Sequence, residues 1–372
     1  MAPSSFTLAK EVGRVPSMTV ALDARGEKQF KGLMEGLIMV DLHEHPMVCT
    51  EEMSQFVEYL RAGEYRWAYD AAIQGGWAAV ASANCFRGMV RNPEMSFLTF
   101  EDLVDEVGMM LADLSKHGDK AVRVTSADEI LKAHSQGKVG ILPTVEHLAL
   151  GDVLHRVDVL HSMGVRIGGL TYNLQNQIGA GLLERHDYGL TNFGIEVVHR
   201  MNDLGMAVDV SHAGLQTALD AIEHSRAPII YSHNASHTLR PSWRNRKDEE
   251  LMACSKKGGV VAVTAVPNAL SDDPKQDINC VLDHYDYLVN LVGVDHVAIG
   301  TDTLVGDHVG YHIHMMGRDF GDQTYAPYLD GLESPADGKN IVRGLIARGY
   351  AEGDIRKIVG ENALTYLRRV MA

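Results

Sequence analysis

Eight short apolar runs, each closing on polar residues, constrain this chain more than any other feature. They are GLIMVDLHEH (36–45), WAAVASANC (77–85), VGILPTVEH (139–147), VRIGGLTYN (165–173), GMAVDVSH (205–212), APIIYSHN (227–234), GGVVAVTAVP (258–267) and DHVAIGTD (295–302). Near-continuous hydrophobic runs suit parallel strands buried on both faces. The stretches between them read as helices where their period is legible. GIEVVHRMNDLG (194–205) and LQTALDAIEHS (215–225) place apolar residues at i, i+3 and i+4 and end on Gly or Pro signals. Eight strands alternating with helices predict an α/β fold of the (β/α)8 TIM-barrel type. The rival is an open doubly wound sheet. The count of eight, and the lack of a G-x-G-x-x-G after the first run, favour the barrel. No low-complexity tract or long linker marks a boundary, so residues 36–372 read as one barrel and 1–35 as an extension packed on it. Within the extension, TVAL (19–22) predicts a small extra strand.

In a barrel the C-terminal ends of the strands share one face, where active sites form. The polar residues that close the runs should therefore converge: His43 and His45, Glu146, Tyr172, His212, His233 and Asp302. Alternate strand residues face the same way, so His43 and His45 can point together while Glu44 points away. The chain has 18 histidines, and imidazole is the commonest metal ligand. A second H-x-H, His312 and His314, sits in an irregular region and reads as lid or surface. A buried carboxylate at a strand end is costly unless paired or metal-bound. Four histidines and two carboxylates at five strand ends fit two metal ions, with one carboxylate bridging and a hydroxide between them.

Composition narrows the partners. The net charge of -15 argues against a nucleic-acid or anionic-membrane partner, since phosphate binding needs concentrated Lys and Arg. No apolar run approaches the ~20 residues of a membrane span. Four widely spaced cysteines (Cys49, Cys85, Cys254, Cys280) indicate neither a disulfide scaffold nor a zinc ribbon. The N-terminal segment lacks the apolar core of a signal peptide. Together these predict a cytoplasmic protein with a small-molecule substrate.

The joint pattern of strand-end motifs resembles the renal (membrane) dipeptidase family of metallopeptidases, within the amidohydrolase superfamily. The resemblance runs from about residue 36 to the C-terminus. It rests on TVEH, GLTNFGIEVVHRMNDLGMAVDVSH (189–212), IIYSHNASH (229–237), WRNRKDEEL (243–251), HVAIGTD (296–302) and RGYAEGDIRKIVGENAL (348–364). It implies two divalent ions, zinc first, with manganese or cobalt as alternatives. His43 and His45 would hold one ion, Glu146 would bridge, and His212 and His233 would hold the other. Asp302 matches the family's catalytic carboxylate, and Arg244 its arginine for the substrate carboxylate. Two departures stand out. The family usually has H-x-D on the first strand, where this chain has His45. Tyr172 replaces a strand-four histidine that contacts the scissile carbonyl, and a phenol can also donate to an oxyanion.

The expected reaction is hydrolysis of the amide bond of a dipeptide or similar small carboxylate-bearing amide. Asp302 would pass a proton to the leaving amine. The alternatives are a non-peptide amide, cyclic imide or lactone as substrate, a single-metal decarboxylase, or a catalytically dead barrel used for binding. Without the resemblance, Arg244 would read as part of a solvated cluster with Arg240, Arg246 and Lys247. Two segments are expected to act as a lid. Residues 51–77 carry Phe56, Tyr59, Tyr65, Trp67, Tyr69 and Trp77, a set that also suits a homodimer interface or a satellite cluster. Residues 303–340 look loop-like and hold His308, Tyr311, His312, His314 and Tyr325.

Overall fold

All eight runs form strands, and the strands close on themselves. The computed structural model describes residues 5–91, 97–315 and 326–371. The barrel strands are β1 (Met39–Val48), β2 (Trp77–Asn84), β3 (Val139–Val145), β4 (Ile167–Gly169), β5 (Ala207–Asp209), β6 (Ile230–Asn234), β7 (Val260–Val263) and β8 (Val297–Ile299). Each pairs in parallel with the next, and Asp41 of β1 pairs with Ile299 of β8 to shut the barrel. Two short strands lie outside this ring: Ala121–Arg123 beside β3, and Leu304–Val305 beside the far end of β1. The two legible helices fall at Asn192–Leu204 and Leu215–His224. Thr191 caps the first, its side chain accepting from Gly194 N, and Gly205 ends it at φ 68°, a conformation that costs glycine little.

β1 does not stop at His45. It runs three residues further, where Val48 pairs with Val305. Its pairing register with β2 also shifts between Asp41 and Glu44. Val40 and Leu42 join the apolar cluster that includes Leu142, Ile230 and Ala262. His43 and His45, of opposite parity, nonetheless reach the site described below. An irregularity of this kind re-aims a strand's side chains.

Helix Asn362–Val370 covers the N-terminal ends of the strands. Its Leu364 and Leu367 belong to the same apolar cluster, and Tyr366 Oη donates to Pro228 O at 3.2 Å. The opposite end of the strands is also closely packed. A methyl group at Gly300 would sit 1.7 Å from Ser232 O. Gly300→Ala should therefore destabilise the protein by about 3 kcal/mol, the upper end for overpacking. Urea unfolding checks this, and an unchanged midpoint would refute the contact.

Three expectations need correction. TVAL (19–22) is irregular rather than a strand. Side chains satisfy its neighbourhood instead: Asn340 Oδ1 accepts from Val20 N at 3.1 Å and Arg343 Nε donates to Val20 O at 2.6 Å. The aromatics of 51–77 are buried within the chain, so they offer no face to a partner copy. Four of them pack in sequence, Phe56 to Tyr59 to Tyr65 to Trp67, with centroids 6.0–6.2 Å apart, the first two pairs tilted and the last edge-on. The region after β8 is not all loop, because His308–Met315 is helical. Tyr325 lies outside the described residues.

Candidate metal centre

Four imidazoles converge on one carboxylate, and its two oxygens divide them into pairs. Glu146 follows β3. Its Oε2 lies 3.0 Å from His43 Nε2 and 3.4 Å from His45 Nε2. Its Oε1 lies 3.0 Å from His212 Nε2 and 3.5 Å from His233 Nε2. Asp302 completes the first side, with Oδ1 at 3.2 Å from His45 Nε2 and 3.6 Å from His43 Nε2. Three or more ligand atoms fall within 4.8 Å of one another for His43–His45–Asp302 and for Glu146–His212–His233. Glu44 points away into the β1–β8 seam, where it accepts from Thr301 and Thr303 hydroxyls at 2.6 and 2.8 Å.

The local backbone serves this convergence. Asp302 adopts φ 56°, a left-handed conformation rare outside glycine and enriched in Asp and Asn. Its N–H donates to His43 O at 2.8 Å, which ties the end of β8 to β1 beside the histidines.

A second layer holds the rings. Ser232 Oγ contacts His233 Nδ1 at 2.7 Å and His43 Nδ1 at 3.3 Å, and donates to Asp209 Oδ2 at 2.5 Å. Because its one proton goes to Asp209, both imidazoles must donate from Nδ1. In the neutral rings each Nε2 would then present its lone pair toward Glu146. His212 Nδ1 meets Asn173 Oδ1 at 3.0 Å. The sequence reading missed Asp209, Ser232 and Asn173. Asp209 could have been noticed as a carboxylate inside an apolar strand. Ser232 and Asn173 carry no such mark.

Electrostatics follow from burial and crowding. Burial alone would raise the Glu146 carboxyl, but His43 and the other imidazoles outweigh it and hold the group well below the carboxylate range. Asp302 is held low in the same way, by His233, His45 and His43 against burial. Burial opposes charge on His45, yet Asp302 and Glu146 lift it to about 9. Burial, assisted by Arg244, pushes His212 well down.

The donors suit divalent ions. His43 Nε2 and Glu146 Oε2 are buried, and neither finds a hydrogen-bond partner although they lie 3.0 Å apart. His212 Nε2 and His233 Nε2 face each other at 3.0 Å. Four imidazoles and two carboxylates converge here, two of their atoms lacking a partner, and form a set that cations complete.

Above the cluster lies a cavity of about 320 Å³, near the lower bound for small-molecule sites. His45, Glu146, His212 and Asp302 form its floor, with Tyr172 and Arg244 on the walls. Tyr172 lies past the end of β4 and stacks on His212, centroids 4.3 Å apart at 22°. Arg244 is not in a solvated cluster. Its guanidinium donates to Ser211 O (3.1 Å), Asn234 Oδ1 (3.2 Å) and His233 O (3.0 Å), and burial lowers its pKa. Arg246 is fully buried, bonded to Ala213 O at 2.7 Å and to Glu250 at 3.3 Å. From the two segments expected as a lid, His308, Tyr311 and His312 line the cavity. None of the six aromatics of 51–77 does; Phe86, which the sequence reading passed over, lines it and packs on His45 at 4.9 Å.

A closed (β/α)8 barrel with this cluster at its mouth defines a metal-dependent hydrolase of the dipeptidase-like class. Residues 27–310 match the model of the membrane dipeptidase family, peptidase family M19. The chain is 27% identical over 315 residues to dipeptidase tcpJ of Claviceps purpurea, covering 83% of this chain and 67% of that protein. Among solved structures, an amidohydrolase from Pseudomonas aeruginosa superposes with a TM-score of 0.76 at 28% identity, covering 92% of this chain and 99% of that one. A Rhodobacter sphaeroides metallopeptidase, solved with a phosphinate mimic of L-Ala-D-Ala, shares the fold. Its TM-score is 0.70 at 21% identity, over 90% of this chain and 99% of that one. The chain belongs to the membrane dipeptidase family. Among the described residues no helix is long and apolar enough to cross a membrane.

Proposed function

We propose that this protein hydrolyses the amide bond of a dipeptide, or of a similar small amide with a free carboxylate, using two divalent ions. The observation that carries the reading is the division of Glu146 between two histidine pairs. In this reading His43 and His45 hold one ion, His212 and His233 the other, and Glu146 both, with Asp302 beside the first. Ions bound there would acidify a water and polarise the scissile carbonyl. The imidazole-rich donor set supports zinc, with manganese or cobalt as alternatives.

The protein groups divide the remaining work. Arg244 receives the substrate carboxylate. Its fork is held by three oxygens at the strand ends, and among the described residues no carboxylate pairs with it, so the ligand supplies the missing anion. Asp302 stays ionised through the neutral range, accepts a proton from the attacking water and delivers it to the leaving amine. Tyr172, fixed by its stack on His212, offers its hydroxyl to the tetrahedral oxyanion. Four separate cysteines, none in a disulfide, support a reducing compartment such as the cytoplasm.

Metal content per chain, measured with hydrolysis of a panel of L,L and L,D dipeptides, tests the reading. Two ions with cleavage are expected. Two ions without cleavage would move the substrate to another amide or a lactone, and one or none would overturn the binuclear mechanism. Arg244→Met should raise KM for carboxylate-bearing substrates by about a hundredfold, the loss of one charge-assisted bidentate contact. An unchanged KM would remove the dipeptide-like reading.

A further inference from the structure

The proposed donor set leaves out one strand end that carries a metal-binding atom. Cys85 follows β2 directly, beside β1 in the sheet. It is fully buried. Its sulfur, a ligand nitrogen of His45 and a carboxylate oxygen of Glu146 all lie within 4.8 Å of one another. A second observation points to the same place. Glu146 Oε2, the oxygen turned toward His43 and His45, is buried without a hydrogen-bond partner. So is His43 Nε2, 3.0 Å from that oxygen. A cation between them satisfies both, and the Cys85 sulfur stands at the edge of that position.

We propose that Cys85 supplies a thiolate ligand to the ion on the His43–His45 side. The proposal rests on the reading that this cluster holds metal, and deepens it by naming a ligand beyond the histidines and carboxylates. Coordination breaks the S–H bond, forms a metal–sulfur bond and releases the proton to solvent. A metal–sulfur bond runs to about 2.3 Å and metal–nitrogen bonds to about 2.0 Å, so ligand atoms within 4.8 Å of one another can share one ion. Sulfur also changes the metal preference: a thiolate favours zinc and cobalt over manganese and magnesium, which prefer oxygen. The two positions would then differ, one soft and one set by nitrogen and oxygen alone.

The full-length protein loaded with cobalt(II) provides the test. A sulfur-to-cobalt charge-transfer band is expected in the near ultraviolet for the wild type. It should be absent in Cys85→Ala and kept when Cys49, Cys254 and Cys280 are all replaced by alanine. The last variant also decides the matter if Cys85→Ala fails to fold. Competition against a chelator should show zinc affinity at one position falling at least about tenfold in Cys85→Ser, with manganese affinity changed less. Two bound cobalt ions without the band in the wild type would overturn the thiolate and leave the hydrolase reading standing. A band that survives Cys85→Ala would do the same. A wild-type protein that takes up no cobalt would overturn both.

Discussion

Glu146→Gln should strip the protein of at least one metal ion and lower kcat/KM by about a thousandfold. The substitution keeps the shape of the side chain and removes its charge. Among the described residues Glu146 is the one group placed within 3.5 Å of a ring nitrogen on each of the four histidines. Those histidines already hold its carboxyl well below the ordinary range, so the anion is the form the site is built around. A glutamine amide has one acceptor oxygen in place of two, and its NH2 group would face a pair of Nε2 atoms that are themselves needed as donors to metal. Losing the Lewis acid costs several kcal/mol of transition-state stabilisation; about 4 kcal/mol corresponds to roughly three powers of ten. Plasma mass spectrometry and steady-state kinetics, with far-ultraviolet circular dichroism to verify folding, check the outcome. Full metal content with activity within tenfold of wild type would show that the carboxylate does not bridge.

Asp302→Asn separates proton transfer from metal binding. The expected result is a fall in kcat of about 10²–10⁴, the range for removing a positioned acid or base, with KM changed by only a few fold. Asparagine tolerates the left-handed backbone at this position, so the fold and the bond from residue 302 N–H to His43 O should persist. The carboxyl of Asp302 is held low by three imidazoles against the effect of burial. It is therefore charged across the neutral range. Retained metal with low kcat identifies a proton carrier. Lost metal identifies a ligand to the ion beside His45, and retained metal with normal kcat removes Asp302 from the chemistry.

Legibility in the sequence followed the length scale of the cause. The eight strands were readable because burial on both faces writes itself into consecutive residues, and each apolar run became a barrel strand. The convergence of His43, His45, Glu146, His212, His233 and Asp302 was readable for a related reason. Once the fold is a barrel, strand ends share one face whatever their separation in sequence. What escaped was set by contacts between distant positions. The strand Ala121–Arg123 is three residues long with two of them exposed, too short for any period. The register shift in β1 depends on its pairing with β2. The aromatics of 51–77 advertised a surface by composition, but they fill space between elements. Arg246 and Arg244 sit two residues apart in one charged stretch, and only the backbone's path buries the first and turns the second to the cavity. Cys85 closes its run as Glu146 and His212 close theirs, so the same positional rule applied to thiols would have flagged it.

Ser232 gives the two halves of the centre a common hinge. One hydroxyl receives Nδ1–H bonds from His43 on one side and His233 on the other, with its own proton committed to Asp209. Neither ring can turn or change its protonation without altering what the other leans on. An ion held by His43 would fix that ring and so would pre-set His233 for a second ion at a reduced entropic cost. The pair should then fill as a unit, with few singly loaded molecules during a titration. A chain that has lost one ion would also be poorly placed to keep the other.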